Sequence, residues 1–145
     1  MVLRPTPAEE FTDHQNEKAS MISNYLISGM VGIMLFFTVV VAPTVFKVLP
    51  VEWSSKYVRN FFPKYYASLG IVTLASIFIE QDSGSRLYLI ACAILFAFTL
   101  FFLTGKINAA KDEGKTKKFH VLHGLSVVIN ITQLCIFIYL LTKTL

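Results

Sequence analysis

The 145-residue chain is 54% hydrophobic and 15% charged, with a mean hydropathy of +0.61, and so carries too little charge to cover the surface of a soluble domain. A net charge of +4 would suit nucleic acid, but its placement points to lipid headgroups. The excess gathers in two connections between apolar blocks: Lys47, Lys56, Arg59 and Lys64 in one, Lys106, Lys111, Lys115, Lys117 and Lys118 in the other.

In chain order, residues 1–20 read as a polar N-terminal tail. Its acidic residues (Glu9, Glu10, Asp13, Glu17) are unlike a secretory leader. A short helix within it is capped by Thr6 with Pro7 at its first position. Residues 21–145 read as a four-helix transmembrane domain. Crossing a hydrocarbon core of about 30 Å takes roughly 20 apolar residues, and the uncharged runs 19–46, 87–105 and 119–142 supply them. The second block, 61–79, is broken only by Lys64; it is short, which calls for tilt or local thinning. Basic connections on one side place both termini on the outer side.

Ser28 and Gly32 in the first span, and Ala93 and Ala97 in the third, have the small-xxx-small spacing that lets helices approach closely in lipid. Pro43 removes a helical hydrogen bond, so a kink or unwound turn is expected near it. Over 50–62 the aromatic stripe Trp53, Tyr57, Phe61, beside Arg59 on a more polar face, predicts an amphipathic interfacial helix that anchors the bundle. Pro63 then starts the second span. Residues 80–86 form a tight turn, making the second and third spans antiparallel neighbours, and 105–118 form a longer basic connection. The fold expected is an all-α membrane protein: an antiparallel four-span bundle with that interfacial helix between the first and second spans.

The fourth span carries the candidate chemistry. At 100° per residue, His123, Ser126, Asn130 and Gln133 share one arc, and His120 borders it. Such side chains face a bundle interior either to bond neighbouring helices or to line a pathway or cofactor pocket. The His120-x-x-His123 pair could share an ion, yet lacks nearby further ligands; a single imidazole could ligate haem. Cys92 and Cys135 stand alone in their spans, at similar depth, and are expected as buried free thiols. No phosphate loop, hydrolase elbow or HExxH is present.

Three segments carry a family resemblance: Gly32-Ile-Met-Leu-Phe-Phe-Thr-Val-Val-Val-Ala-Pro43-Thr-Val-Phe46; Arg59-Asn-Phe-Phe-Pro63-Lys-Tyr65-Tyr66; and Lys106-Ile-Asn108 followed by Phe119-His120-Val-Leu-His123-Gly124-Leu-Ser126 and Asn130. Together, over about residues 25–140, they resemble the transmembrane protein 205-like family, a four-helix membrane domain of unknown function. Gly105 departs from the proline expected before Lys106. The resemblance implies the fold but no reaction. Its distant likeness to copper-resistance membrane proteins and to a haem-binding bacterial oxidase implies His120 or His123 as the positions for a cofactor.

The expected function is a non-enzymatic bundle acting in the lipid bilayer through other membrane proteins or through copies of itself, in a bacterial inner membrane or an organelle membrane. Two alternatives stay open. One is metal or small-solute permeation along the fourth-span stripe, and the other is a haem-binding membrane oxidoreductase. No nucleic-acid partner is expected.

Overall fold

In the computed structural model, residues 6–143 are described, and their regular structure is helical throughout. Helix α1 (Pro7–Phe36) starts as its first residues dictate. Thr6 Oγ1 accepts from the Glu9 amide, and the Glu9 carboxylate accepts from the Thr6 amide at 2.7 Å, with Pro7 following the cap. The helix is not short, however. Nothing in the polar stretch interrupts the ladder, so it runs straight into the first span. Residues 1–5 of the tail lie outside the described residues.

A π turn (Phe37–Val41) joins α1 to α2 (Ala42–Val48). Pro43 accounts for it: the ring has no N–H and would meet the Val39 carbonyl of a regular helix. The ladder widens instead, Ala42 N–H bonding the Phe37 carbonyl five residues back. The Thr44 hydroxyl donates to the Val40 carbonyl at 2.6 Å. The irregularity expected at Pro43 therefore lies in the turn just before it.

The amphipathic stretch is helical, but it does not end at Pro63. It is the N-terminal part of α3 (Val51–Ile79), a single helix with Pro63 inside. Pro63 gives up the bond to the Arg59 carbonyl, and ring packing holds the segment across the gap. Phe37 stacks on Phe61 at 4.7 Å and meets Phe62 edge-on at 5.5 Å. Because the 29 residues form one rod, about 43 Å long at 1.5 Å per residue, the second span needs no thinned bilayer.

Asp82 caps α4 (Ser83–Phe98), accepting from the Ser85 amide at 2.7 Å. A second π turn (Thr99–Leu103) leads into α5 (Thr104–Asp112). The long connection expected at 105–118 shrinks to residues 113–115, since α5 occupies most of it. Gly114 supplies the left-handed step, φ 65°, that lets α6 (Thr116–Lys143) reverse direction. The lysines read as loop charges thus stand mostly on helices.

Four helical stretches, Pro7–Val48, Val51–Ile79, Ser83–Asp112 and Thr116–Lys143, are long and apolar enough to cross a membrane. They form a square: α1 packs on α3 and α6, and α4 packs on the same two, so α1 faces α4 across one diagonal. The centre holds Met30, Met34, Phe37, Leu69, Phe96 and Phe137. Large side chains such as Phe78, Ile71 and Phe101 point outward, 83%, 66% and 74% exposed, as lipid allows and water does not. Gly70 marks the close α3–α4 approach, since a Cβ there would lie 3.5 Å from that of Phe96. Ser28 and Gly32 face outward. Of the cysteines only Cys92 is buried; Cys135 is exposed on the outer face of α6, so the pair is neither joined nor alike.

Candidate functional site

The first connection and the third come together at one end of the bundle. Arg59, on α3, grips Asp112 at the end of α5 with both guanidinium nitrogens, at 2.6 and 3.1 Å, the bidentate geometry that fixes a carboxylate most firmly. Lys111 reaches across from α5 to donate to the Ser55 hydroxyl, and its ammonium lies 5.7 Å over the Phe119 ring. Phe119 in turn stacks on His123, centroids 5.8 Å apart and planes 1° from parallel. These contacts lock α3, α5 and α6 around a cavity of about 330 Å³.

The cavity walls are apolar and aromatic, from Phe46, Val58, Phe62, Ile107 and Phe119. Its charged groups, Arg59 and Lys111, are donors only; Asn108, His120, His123 and the hydroxyls of Ser55, Tyr66, Thr104 and Ser126 add groups that can donate or accept. Among the described residues no carboxylate lines it. A mostly apolar pocket with a few converging polar groups is the usual form of a small-molecule site. Ser126 donates to the backbone carbonyl of His123 at 2.7 Å, so its hydroxyl is not presented to the imidazole as a nucleophile would be.

The fourth-span stripe divides. His120 is exposed and His123 half-buried, and both reach the cavity, as does buried Ser126. Asn130 lies deeper and accepts from the Tyr65 hydroxyl at 3.5 Å. Gln133 is fully buried and donates to the Cys92 carbonyl at 3.0 Å, while its Oε1 finds no partner among the described residues. Beyond Ser126 the stripe meets Tyr65 and α4. Of the four anchor residues, Arg59 belongs to the cavity. Trp53, Tyr57 and Phe61 line a separate open hollow with Lys56 and Lys64, and Lys56 sits 5.4 Å over the Trp53 ring. His120 and His123 gain no third His, Cys, Asp or Glu within metal-binding reach among the described residues.

The opposite end holds a polar cluster that the turn-like sequence 80–86 concealed. Glu80, 7% exposed, accepts from the Ser23 hydroxyl at 2.8 Å and from the Asp82 amide at 3.0 Å. Arg86 donates twice to the Glu80 carbonyl, and Lys143 donates to Asp82 at 2.6 Å. Lys143 first, then the Ser85 amide and hydroxyl, holds the Asp82 carboxyl well below the usual carboxylate range. One signal was available: Glu80 directly borders an apolar run.

No solved structure matches the chain. It is 35% identical over 113 residues to an uncharacterized protein of Aquifex aeolicus (strain VF5), an alignment covering 75% of this chain and 83% of that one. The family described as "Domain of unknown function (DUF4149)" matches residues 25–116, which include the α2, α3 and α5 walls of the cavity and stop where α6 begins. On that match this integral membrane chain belongs to the DUF4149 family.

Proposed function

We propose that the chain is a non-enzymatic binding protein of the membrane that holds a small ligand in the cavity between α2, α3, α5 and α6. One observation carries this reading: donors from three helices converge, without a carboxylate or a poised nucleophile, on an apolar pocket of about 330 Å³. The segments behind the transmembrane 205-like reading meet there too, contributing Phe46, Arg59, Phe62, Asn108, His123 and others. That convergence supports the finer family reading. Gly32, with nothing within 4 Å of a Cβ, supports association with another copy or another membrane protein, and a bacterial relative supports the bacterial inner membrane.

A second reading, haem ligation, is favoured by His123 alone, half-buried in the cavity wall. Haem would bring electron transfer, and His123 would supply an axial nitrogen. Among the described residues the two imidazoles find no third ligand for a chelated ion. The test is gentle purification of the full chain, with mass spectrometry and an absorption spectrum, beside Ser126→Phe and His123→Ala. We expect about one colourless small molecule per chain, lost in Ser126→Phe. A visible chromophore lost in His123→Ala would replace this reading with the haem one, and an empty cavity in every sample would remove both.

A further inference from the structure

We infer that the cavity selects an amphiphile with an oxyanion head, a phosphate or carboxylate on an apolar stem. This inference rests on the binding reading above and names its ligand class. Two lining side chains are cationic, Arg59 and Lys111, and among the described residues no lining side chain is acidic. Arg59 is already matched by Asp112. Lys111 is not matched: its ammonium is held by a hydroxyl and a ring face and joins no ion pair among the described residues. Those contacts hold the ammonium at the cavity wall, and although it lies in the field of neighbouring Asp112, that carboxylate's hydrogen bonds go to Arg59. Asn108 and the imidazoles can each offer a neutral N–H to the same space. An oxyanion accepts from these and from Lys111, whereas an ammonium or guanidinium head would be repelled by Lys111 and Arg59 with no lining carboxylate to receive it.

Size and position set the rest of the ligand. About 330 Å³ is the room of roughly eleven waters at about 30 Å³ each, enough for a head and the first few carbons. The aromatic walls, Phe46, Phe62 and Phe119, suit the start of a hydrocarbon stem. The cavity lies at the basic end of the bundle, where the apolar spans give way to charged residues. A head placed there leaves its tail free to follow the lipid-facing helices. A free oxyanion such as phosphate shares the head chemistry but leaves those walls unused.

Native mass spectrometry of the full chain distinguishes the sources, using oleoyl lysophosphatidic acid, monoolein (the same acyl chain without phosphate) and inorganic phosphate. We expect the lysophosphatidic acid to bind one per chain. Lys111→Gln should weaken it about tenfold, the loss of one charge-assisted hydrogen bond. Lys111→Arg should restore it, and Lys117→Gln with Lys118→Gln, outside the cavity lining, should leave it unchanged. Equal binding of monoolein, lost in Ser126→Phe, would overturn the oxyanion assignment and leave the binding reading intact. Inorganic phosphate competing at equal concentration would overturn the amphiphile. Loss that follows Lys117 and Lys118 instead of Lys111 would reduce the effect to surface charge. Retention of no probe, with no change in Ser126→Phe, would remove both the inference and the reading beneath it.

Discussion

At the end of the bundle that carries the 80–86 turn, the charged groups answer one another. Glu80 takes the Ser23 hydroxyl and the Asp82 amide, Asp82 takes Lys143, and Arg86 returns to the Glu80 carbonyl. At the opposite end Arg59 and Asp112 pair in the same manner, yet Lys111, Asn108 and two imidazoles face open volume. The first arrangement closes on itself and fastens α1, α6 and the α3–α4 turn. The second also joins its helices but leaves donors over. Polar groups at a membrane boundary are unremarkable; what separates a fastening from a binding site is whether their partners are already present.

The comparison breaks most readily through Phe37, which lies beneath the cavity and packs on Phe61, Phe62 and Tyr65. Phe37→Ala should cost about 3 kcal/mol, near the low end for a buried ring because lipid does not itself drive helices together. It should also lower ligand retention, since Phe62 loses its support. Thermal unfolding in detergent and the bound mass read the two effects separately. If retention survives undiminished, the cavity does not depend on that ring stack.

Glu80→Ala sharpens the contrast. It leaves the buried Ser23 hydroxyl and the Asp82 amide without their acceptor, a loss of about 2 kcal/mol, and it should leave ligand retention unchanged. A fall in retention equal to that of Phe37→Ala would show the two ends to be one cooperative unit. The smallest effect is expected at Asp82. Its carboxyl is held low in the folded chain, so its contact stabilises fully above the unfolded value of about 3.9 and is lost as pH falls towards the folded value. The unfolding midpoint should therefore drop between about pH 4 and 2 more steeply in the wild type than in Asp82→Asn. Parallel curves would place the fastening on Glu80 and Arg86 alone.

The two π turns show how far local sequence carries. Pro43 announces the first, because a missing N–H and a steric clash act within one turn of the helix. The second, at Thr99–Leu103, has no proline. Its signal is the Thr104 hydroxyl, which donates five residues back to the Thr99 carbonyl at 2.8 Å, a pattern too common in threonines to be read in advance. Pro63 is the converse case. By itself it suits a helix start, and only the rings of Phe37, Phe61 and Phe62 explain a helix that continues through it.

Spans, their number and the polar arc of α6 follow from the sequence alone, because lipid requires long uncharged helices and a helix repeats every 3.6 residues. Which side of that arc matters was decided in the tertiary structure. Tyr65 and α4 occupy the space beside Asn130 and Gln133, while the same arc one and two turns earlier opens on Lys111 and Asn108 from α5. Ser55 and Lys111 stand 56 residues apart, and Ser23 and Glu80 57 apart. No periodicity within one helix encodes such pairings. They arise when the square packing of α1, α3, α4 and α6 brings particular helix faces to particular ends, and that packing decides which polar groups are matched and which face the cavity.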